Sequence, residues 1–166
     1  MNKRALDVDD LLAAFTPHAH SFFGKQLETK LDYWSVPHMD SVLGQGWFSK
    51  IAPVKEFWET IPTLSAPSSI DFDFDYYISS FPQDMYDVRV EWLKKNGFPD
   101  KPLIVTNDKL NKCLELGVGL IVDDKPEFMK ILQDSPVRGI HFMTHYAGFE
   151  PVGKYVTSLS QVKQYL

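Results

Sequence analysis

A short run near the start of the chain, Arg4, Ala5, Leu6, Asp7, Val8, Asp9 and Asp10, constrains the fold more than any other. Ala5, Leu6 and Val8 read as a brief buried strand that runs straight into acid. Carboxylates placed together at the end of an apolar strand repel one another, and burial disfavours their ionisation. Folding alone gives no reason for them; a divalent cation and a phosphoryl group would. Asp7 and Asp9 are two apart, so on a strand they point to the same side. One could meet a metal and phosphorus while the other sits beside a leaving oxygen. The structural alternative is an N-cap, with Asp9 or Asp10 opening a helix over residues 11–23.

At 166 residues the chain is long enough for one domain with a small insertion. The net charge is −5 and there is no basic run, so a long nucleic-acid surface is not expected. A small phosphorylated ligand remains compatible, provided a metal and a lysine or two offset its charge. Cys113 is the only cysteine, which excludes an intrachain disulfide. No apolar run approaches the length of a membrane span, and acid follows Lys3 and Arg4 where a signal peptide would be apolar. The expected location is the cytoplasm, with no membrane partner.

Beyond the first strand, the pattern predicts a helix over 11–23, interrupted or restarted at Pro17, then a Gly- and Pro-punctuated insertion of short helices and loops over 24–52. That insertion carries Tyr33, Trp34, Trp47 and Phe48. A short helix is expected over 53–61, with Pro at its first turn. Asp71, Asp73 and Asp75 alternate with Phe72 and Phe74, which reads as an exposed approach to a strand over 76–79. A helix over 85–96, closed by Gly97, leads to a strand over 103–106. A short helix or loop over 108–116 leads to a strand over 119–122 that ends in Asp123 and Asp124. A helix over 126–133, a fifth strand over 137–143 and a terminal helix over 159–166 complete the chain. Strands alternating with helices argue for a parallel sheet covered on both faces.

In such a sheet, ligands bind beyond the C-terminal ends of the strands. Asp7 and Asp9, Ser79 and Ser80, Thr106, and Asp123 and Asp124 all fall at such ends, and Lys109 lies three residues beyond Thr106. Carboxylates from two strands give an oxygen-rich set suited to Mg²⁺. A hydroxyl and an ammonium complete a phosphate cradle. The bland alternative for Lys109 is a solvated lysine, with Lys101 and Lys112 as nearby competitors.

These motifs, in this order, resemble the four motifs of the haloacid dehalogenase (HAD) superfamily. A closer resemblance is to the 5'(3')-deoxyribonucleotidases. It is carried by Asp7-Val8-Asp9-Asp10-Leu11-Leu12, by Gly46-Trp47-Phe48 with Pro53, by Ile78-Ser79-Ser80-Phe81-Pro82, and by Ile121-Val122-Asp123-Asp124-Lys125-Pro126. The resemblance implies a Rossmann-like α/β sheet formed by residues 1–16 and 62–166, with a small helical cap over 17–61 inserted after the first strand. It implies a phosphatase in which Asp7 is the nucleophile that becomes an aspartyl-phosphate. Asp9 is then acid for the leaving oxygen and base for the hydrolytic water, while Ser79 and Lys109 hold phosphoryl oxygens. Mg²⁺ is implied on Asp7, the Asp9 carbonyl and Asp124, with Asp123 orienting its waters. Phe15, Trp47 and Phe48, with Ser80, match positions that meet the substrate; the alternative for the three aromatics is the cap's own small core. Ala14 departs from the pattern, where an acid is usual, and Ser79 replaces threonine.

The implied partner is a small-molecule nucleotide, a deoxyribonucleoside monophosphate in particular; a homodimer is left open. Two other readings stand beside it: a phosphatase for another small phosphoester, and a non-hydrolysing binding module on the same fold. Cys113 lacks an evident base partner and reads as a buried inert thiol. His141, in the fifth strand, reads as a satisfied core or edge residue.

Overall fold

The computed structural model describes residues 2–27 and 36–166. Tyr33 and Trp34 therefore lie outside the described residues. Among the described residues six strands make one parallel sheet in the order β3-β2-β1-β4-β5-β6. They are β1 (Lys3–Leu6), β2 (Tyr76–Ser79), β3 (Leu103–Val105), β4 (Val118–Asp123), β5 (Arg138–Phe142) and β6 (Tyr155–Val156). The chain moves outward from β1 to β2 and β3, then returns to the other side of β1 for β4. That reversal beside β1 is where an open parallel sheet leaves a crevice past its strand ends.

Side chains alternate between two apolar layers, following the two-residue period of a strand, except at the start of β4, where Val118 and Leu120 fall in different layers beside a register irregularity. Leu6, Tyr77, Leu120 and Val122 point into the larger layer, and Ala5, Ile78 and Ile121 into the smaller. The smaller layer is closed by α6 (Lys109–Leu116), through Cys113, and by α7 (Pro126–Gln133), through Phe128, Met129 and Leu132. The larger layer is closed by α5 (Tyr86–Lys95), through Trp92 and Leu93, and by the inserted segment. The insertion contributes α1 (Phe15–Phe22), α2 (Val36–Leu43), α3 (Trp47–Ile51) and α4 (Lys55–Glu59). Phe15, Ala19, Leu43, Ile51, Phe57 and Trp58 share one continuous cluster with the sheet. The bland expectation for Cys113, a fully buried thiol, is met.

The helix expected over 11–23 is shorter, and its first third is a turn. Asp10 takes a left-handed conformation, φ 56°, which ends any regular element there. The amides of Leu12 and Ala13 both donate to the Val8 carbonyl, at 2.8 and 2.9 Å. The backbone then ties the start of the insertion to its end: Ala14 N donates to Pro62 O at 2.8 Å and Leu64 N to Leu12 O at 2.6 Å. α1 begins only at Phe15, with Pro17 in its first turn, where no intrahelical donor is lost. Other differences are smaller. The helix expected from 53 starts at Lys55, the stretch before α5 is a 3₁₀ turn (Gln83–Met85), and the terminal helix is 3₁₀ throughout (Leu159–Tyr165). β6 has two residues, too few to leave an alternation pattern in the sequence.

Gly139 on β5 faces α7 closely. A Cβ there would come within 2.9 Å of both Leu132 Cδ1 and Met129 Sδ. Gly139→Val should therefore destabilise the fold by about 1–3 kcal/mol, as overpacking does. Urea unfolding measures it, and an unchanged midpoint would contradict this packing of α7 on β5.

Candidate active site

Four neighbouring strands, β3, β2, β1 and β4, end toward the same crevice. Asp7 follows β1 and stays in register with the sheet, its amide donating to Val122 O at 3.0 Å. Ser79 closes β2 and is 1% exposed. Past β3, Thr106 Oγ1 accepts from the Asp108 amide at 3.0 Å, and the Asp108 carboxylate caps α6 by accepting from Asn111 N at 3.1 Å. That turn makes Lys109 the first residue of α6 and aims it back at β1. Asp123 is the last residue of β4 and Asp124 the next. Asp7, Ser79 and Lys109 open on a cavity of about 260 Å³, lined also by Asp9, Ser80 and Asn107 on the sheet side, with Asp123 and Asp124 buried behind it. Lys125, Glu127, Phe128 and Ile131 of the α7 segment line the other side.

Lys109 joins two of the acids. Its Nζ lies 2.8 Å from Asp7 Oδ2 and 2.5 Å from Asp123 Oδ2. The competing lysines are occupied elsewhere, Lys101 by Asp73 at 3.1 Å and Lys112 by Glu115 at 2.5 Å. Carboxylate oxygens of Asp7, Asp123 and Asp124 all come within 4.8 Å of one another, and all three residues are buried. Asp7 Oδ1 is buried without a hydrogen-bond partner. Both oxygens of Asp123 are engaged, Oδ2 by Lys109 and Oδ1 by the Lys125 amide at 2.9 Å.

Burial and mutual repulsion raise the pKa of three of the acids here. Burial, and then the charge of Asp7, push Asp123 up to about 6, although Lys109 opposes them. Asp124 is raised well above the usual carboxylate range by burial, then by Asp10, Asp123 and Asp7. Asp10 is pushed up to about 7 by burial, against hydrogen bonds from Tyr146 and Thr16. Burial pulls the Lys109 ammonium down, but Asp123 and Asp7 together hold it above its ordinary value. Such a cluster fits a hard divalent cation: three carboxylates, an unpartnered oxygen on Asp7, and no sulfur or imidazole in the set.

Asp10 also fulfils part of the capping alternative, at a distance. Its Oδ1 and Oδ2 accept from Thr16 N and Oγ1 at 2.9 and 2.7 Å, so it caps α1 across an intervening turn. The Tyr146 hydroxyl donates to the same carboxylate. His141 is wholly buried and hydrogen-bonded at both nitrogens. It accepts from Val152 N at Nδ1, 2.9 Å, so its Nε2–H donates to the Asp124 carbonyl at 3.0 Å. Burial pulls its pKa below the ordinary value.

The structure does not bring the aromatics Phe15, Trp47 and Phe48 to this cavity. Phe15 stacks on Trp58 at 5.7 Å and meets Phe57 edge-on at 5.8 Å. Trp47 lies 6.3 Å from Phe15, and Phe48 is 41% exposed. Phe15 packs within the insertion, Phe48 meets Trp47 edge-on, and the apolar wall beside the acids comes from Phe128 and Ile131. Ser80 does line the cavity, its hydroxyl donating to Thr106 O at 2.5 Å. Asp9 lines it too, but Arg89 Nη2 binds its Oδ1 at 2.6 Å. Sequence reasoning passed over Arg89. The signal was present: Met85, Arg89 and Trp92 follow helical spacing, so a cation sits on the inward stripe of α5.

Among the described residues no helix is long and apolar enough to cross a membrane. No family model and no curated protein matches the sequence. Solved structures match the fold. One is the crystal structure of a HAD-superfamily hydrolase, subfamily IA, variant 1, from Geobacter sulfurreducens PCA. The likeness covers 98% of this chain and 95% of that one, with a TM-score of 0.58 and 12% identity. The fold is thus the HAD Rossmann-like α/β fold, and the chain is similar in architecture to a HAD-superfamily hydrolase.

The acid cluster generates a test independent of turnover. A cation favours the ionised form of these acids, so Mg²⁺ should raise the melting temperature more at pH 7.5 than at pH 5. The sign follows from the raised values: the protein without metal holds the stability these acids contribute at low pH and loses it as pH rises through about 6. Asp124→Asn should abolish the Mg²⁺ shift, and Asp123→Asn should only weaken it. Equal loss in the two variants would contradict the assignment of Asp123 as an orienting group.

Proposed function

We propose that this protein is a HAD-superfamily phosphomonoester hydrolase. It depends on Mg²⁺ and acts on nucleoside monophosphates, with 5'(3')-deoxyribonucleotidase activity through an aspartyl-phosphate. The observation that carries the proposal is the Lys109 ammonium bridging Asp7 and Asp123 while Asp7 Oδ1 stays unpartnered in a cavity that Ser79 also lines. Lys109 and Ser79 can hold phosphoryl oxygens in place for in-line attack. Asp7, the Asp9 carbonyl and Asp124 would hold the metal, with Asp123 orienting its waters. Bound Mg²⁺ supplies positive charge that lets a carboxylate approach a dianionic ester.

In the first step an Asp7 oxygen forms a bond to phosphorus as the bond to the leaving oxygen breaks, and Asp9 gives that oxygen its proton. In the second, Asp9 takes a proton from water as the water oxygen bonds phosphorus, which frees Asp7 and releases phosphate. The pair thus serves as nucleophile and as acid–base. At about 260 Å³ the cavity fits the phosphoryl group and part of its ester, so a nucleoside would extend along Phe128 and Ile131. That apolar strip supports a leaving group with a flat apolar face. The nucleotide subclass itself rests on the resemblance of the sequence motifs.

Phosphate release from a panel of nucleoside 5'- and 3'-monophosphates, with and without chelator, tests the proposal. The expected result is hydrolysis of deoxyribonucleotides that stops with chelator and returns with Mg²⁺. Full activity in excess chelator would remove the metal. Hydrolysis of sugar phosphates but not nucleotides would change the substrate, and no release from any ester would leave a binding module. Ile131→Asp should raise KM for a nucleotide by about tenfold and leave KM for acetyl phosphate nearly unchanged; a parallel change would remove the α7 wall from the substrate site.

A further inference from the structure

Arg89 has a role that the four acidic and basic motifs do not cover. It sits on the inward face of α5 and is 1% exposed. A buried guanidinium is costly unless it is paired and hydrogen-bonded. Among the described residues its one ion-pair partner is Asp9, Nη2 to Oδ1 at 2.6 Å. Its Nε and Nη1 are buried and donate to no acceptor among the described residues. Three aromatic rings enclose the cation instead, Trp92 at 5.3 Å, Trp58 at 5.4 Å and Phe81 at 5.7 Å from its Cζ. These rings come from α5, from α4 of the insertion and from the segment after β2, so the guanidinium is fixed from three directions. A salt bridge added only for stability would gain little here, because the same volume filled with apolar atoms would avoid the desolvation. What the arrangement provides is direction: Asp9 is held by one oxygen on an immobile donor, while the residue lines the cavity beside Asp7.

We propose that Arg89 is a positioning residue, which fixes the Asp9 carboxylate for proton delivery to the leaving oxygen and thereby makes the enzyme competent for esters with poor leaving groups. The inference rests on the phosphatase reading above. Its consequence is selective. An alkoxide leaving group needs a well-aimed acid, whereas a nitrophenolate leaves without one. A mis-set Asp9 should therefore slow phosphoryl transfer from an alkyl ester much more than from an aryl ester of similar size.

Arg89→Met keeps the volume and removes the cation. The measurement is kcat/KM, which reports steps up to the first irreversible one, for benzyl phosphate and for p-nitrophenyl phosphate. The expected result is a loss of about 10²-fold with benzyl phosphate and of less than about fivefold with p-nitrophenyl phosphate, in keeping with the size of general acid effects. Because the single variant leaves a buried carboxylate alone, the double variant Asp9→Asn/Arg89→Met is compared with Asp9→Asn. If Arg89 acts through Asp9, removing it in that background should cost benzyl phosphate hydrolysis nothing further, beyond about twofold. Equal loss with both esters, or a further large loss in the Asp9→Asn background, would overturn the proposal. A wild-type protein that hydrolyses neither ester would remove the phosphatase reading, and this inference with it.

Discussion

One ammonium makes the rest of this site possible. The sheet delivers Asp7 from β1 and Asp123 from β4, neighbouring parallel strands, so their carboxylates are forced together wherever the fold forms. Without a cation between them that geometry would have to be discharged by protonation. Lys109 sits between them at 2.8 and 2.5 Å, brought there by the capped turn that starts α6. It does not neutralise the cluster. Asp123 and Asp124 remain raised, and Asp7 keeps one bare oxygen. That uncompensated acid cluster is what the proposed cation and phosphoryl group would offset.

Much of this could be read in the sequence, and the physical reason is local. Asp7, Ser79 and Asp123 each end an apolar run, with Asp124 next in line, and a parallel sheet brings the ends of such runs to one edge, so their meeting is legible from periodicity; Lys109 lies beyond a turn, and its choice over Lys101 and Lys112 rests on the motif order. What could not be read depends on contacts far apart in sequence. The turn at Asp10 is stabilised by hydrogen bonds from Thr16 and from Tyr146, 136 residues away, and no local pattern announces it. Propensity favoured a helix through Leu11 and Leu12; the pairing of their backbone with residues 62–65 overrode it. β6 is two residues pinned to β5 by the sheet edge, not by its own composition.

The aromatics show the same division. Phe15 packs on Phe57 and Trp58 and meets Trp47, which in turn meets the exposed Phe48, but the composition of an insertion does not say which way its rings turn. The face of α7 beside the acids was hidden for the opposite reason. Phe128 reads as core, and it is core on one side, with Met129 and Leu132. Only the placement of the helix N-terminus against β4 shows that Phe128 and Ile131 also flank the cavity. Arg89 lies between these cases. A cation on an inward helical stripe is a violation of the pattern that calls for a partner, and Asp9 is that partner.

The central claim is that Asp7 is a nucleophile and not only a ligand, and covalent trapping tests it most directly. The protein is mixed with a phosphomonoester and Mg²⁺, quenched in acid, digested and examined by peptide mass spectrometry. The account predicts one phosphoryl group on the peptide that carries Asp7, sensitive to hydroxylamine as an acyl phosphate is, and absent from Asp7→Asn. Turnover with no phosphoryl group trapped on any peptide, or a phosphoenzyme that persists in Asp7→Asn, would contradict it.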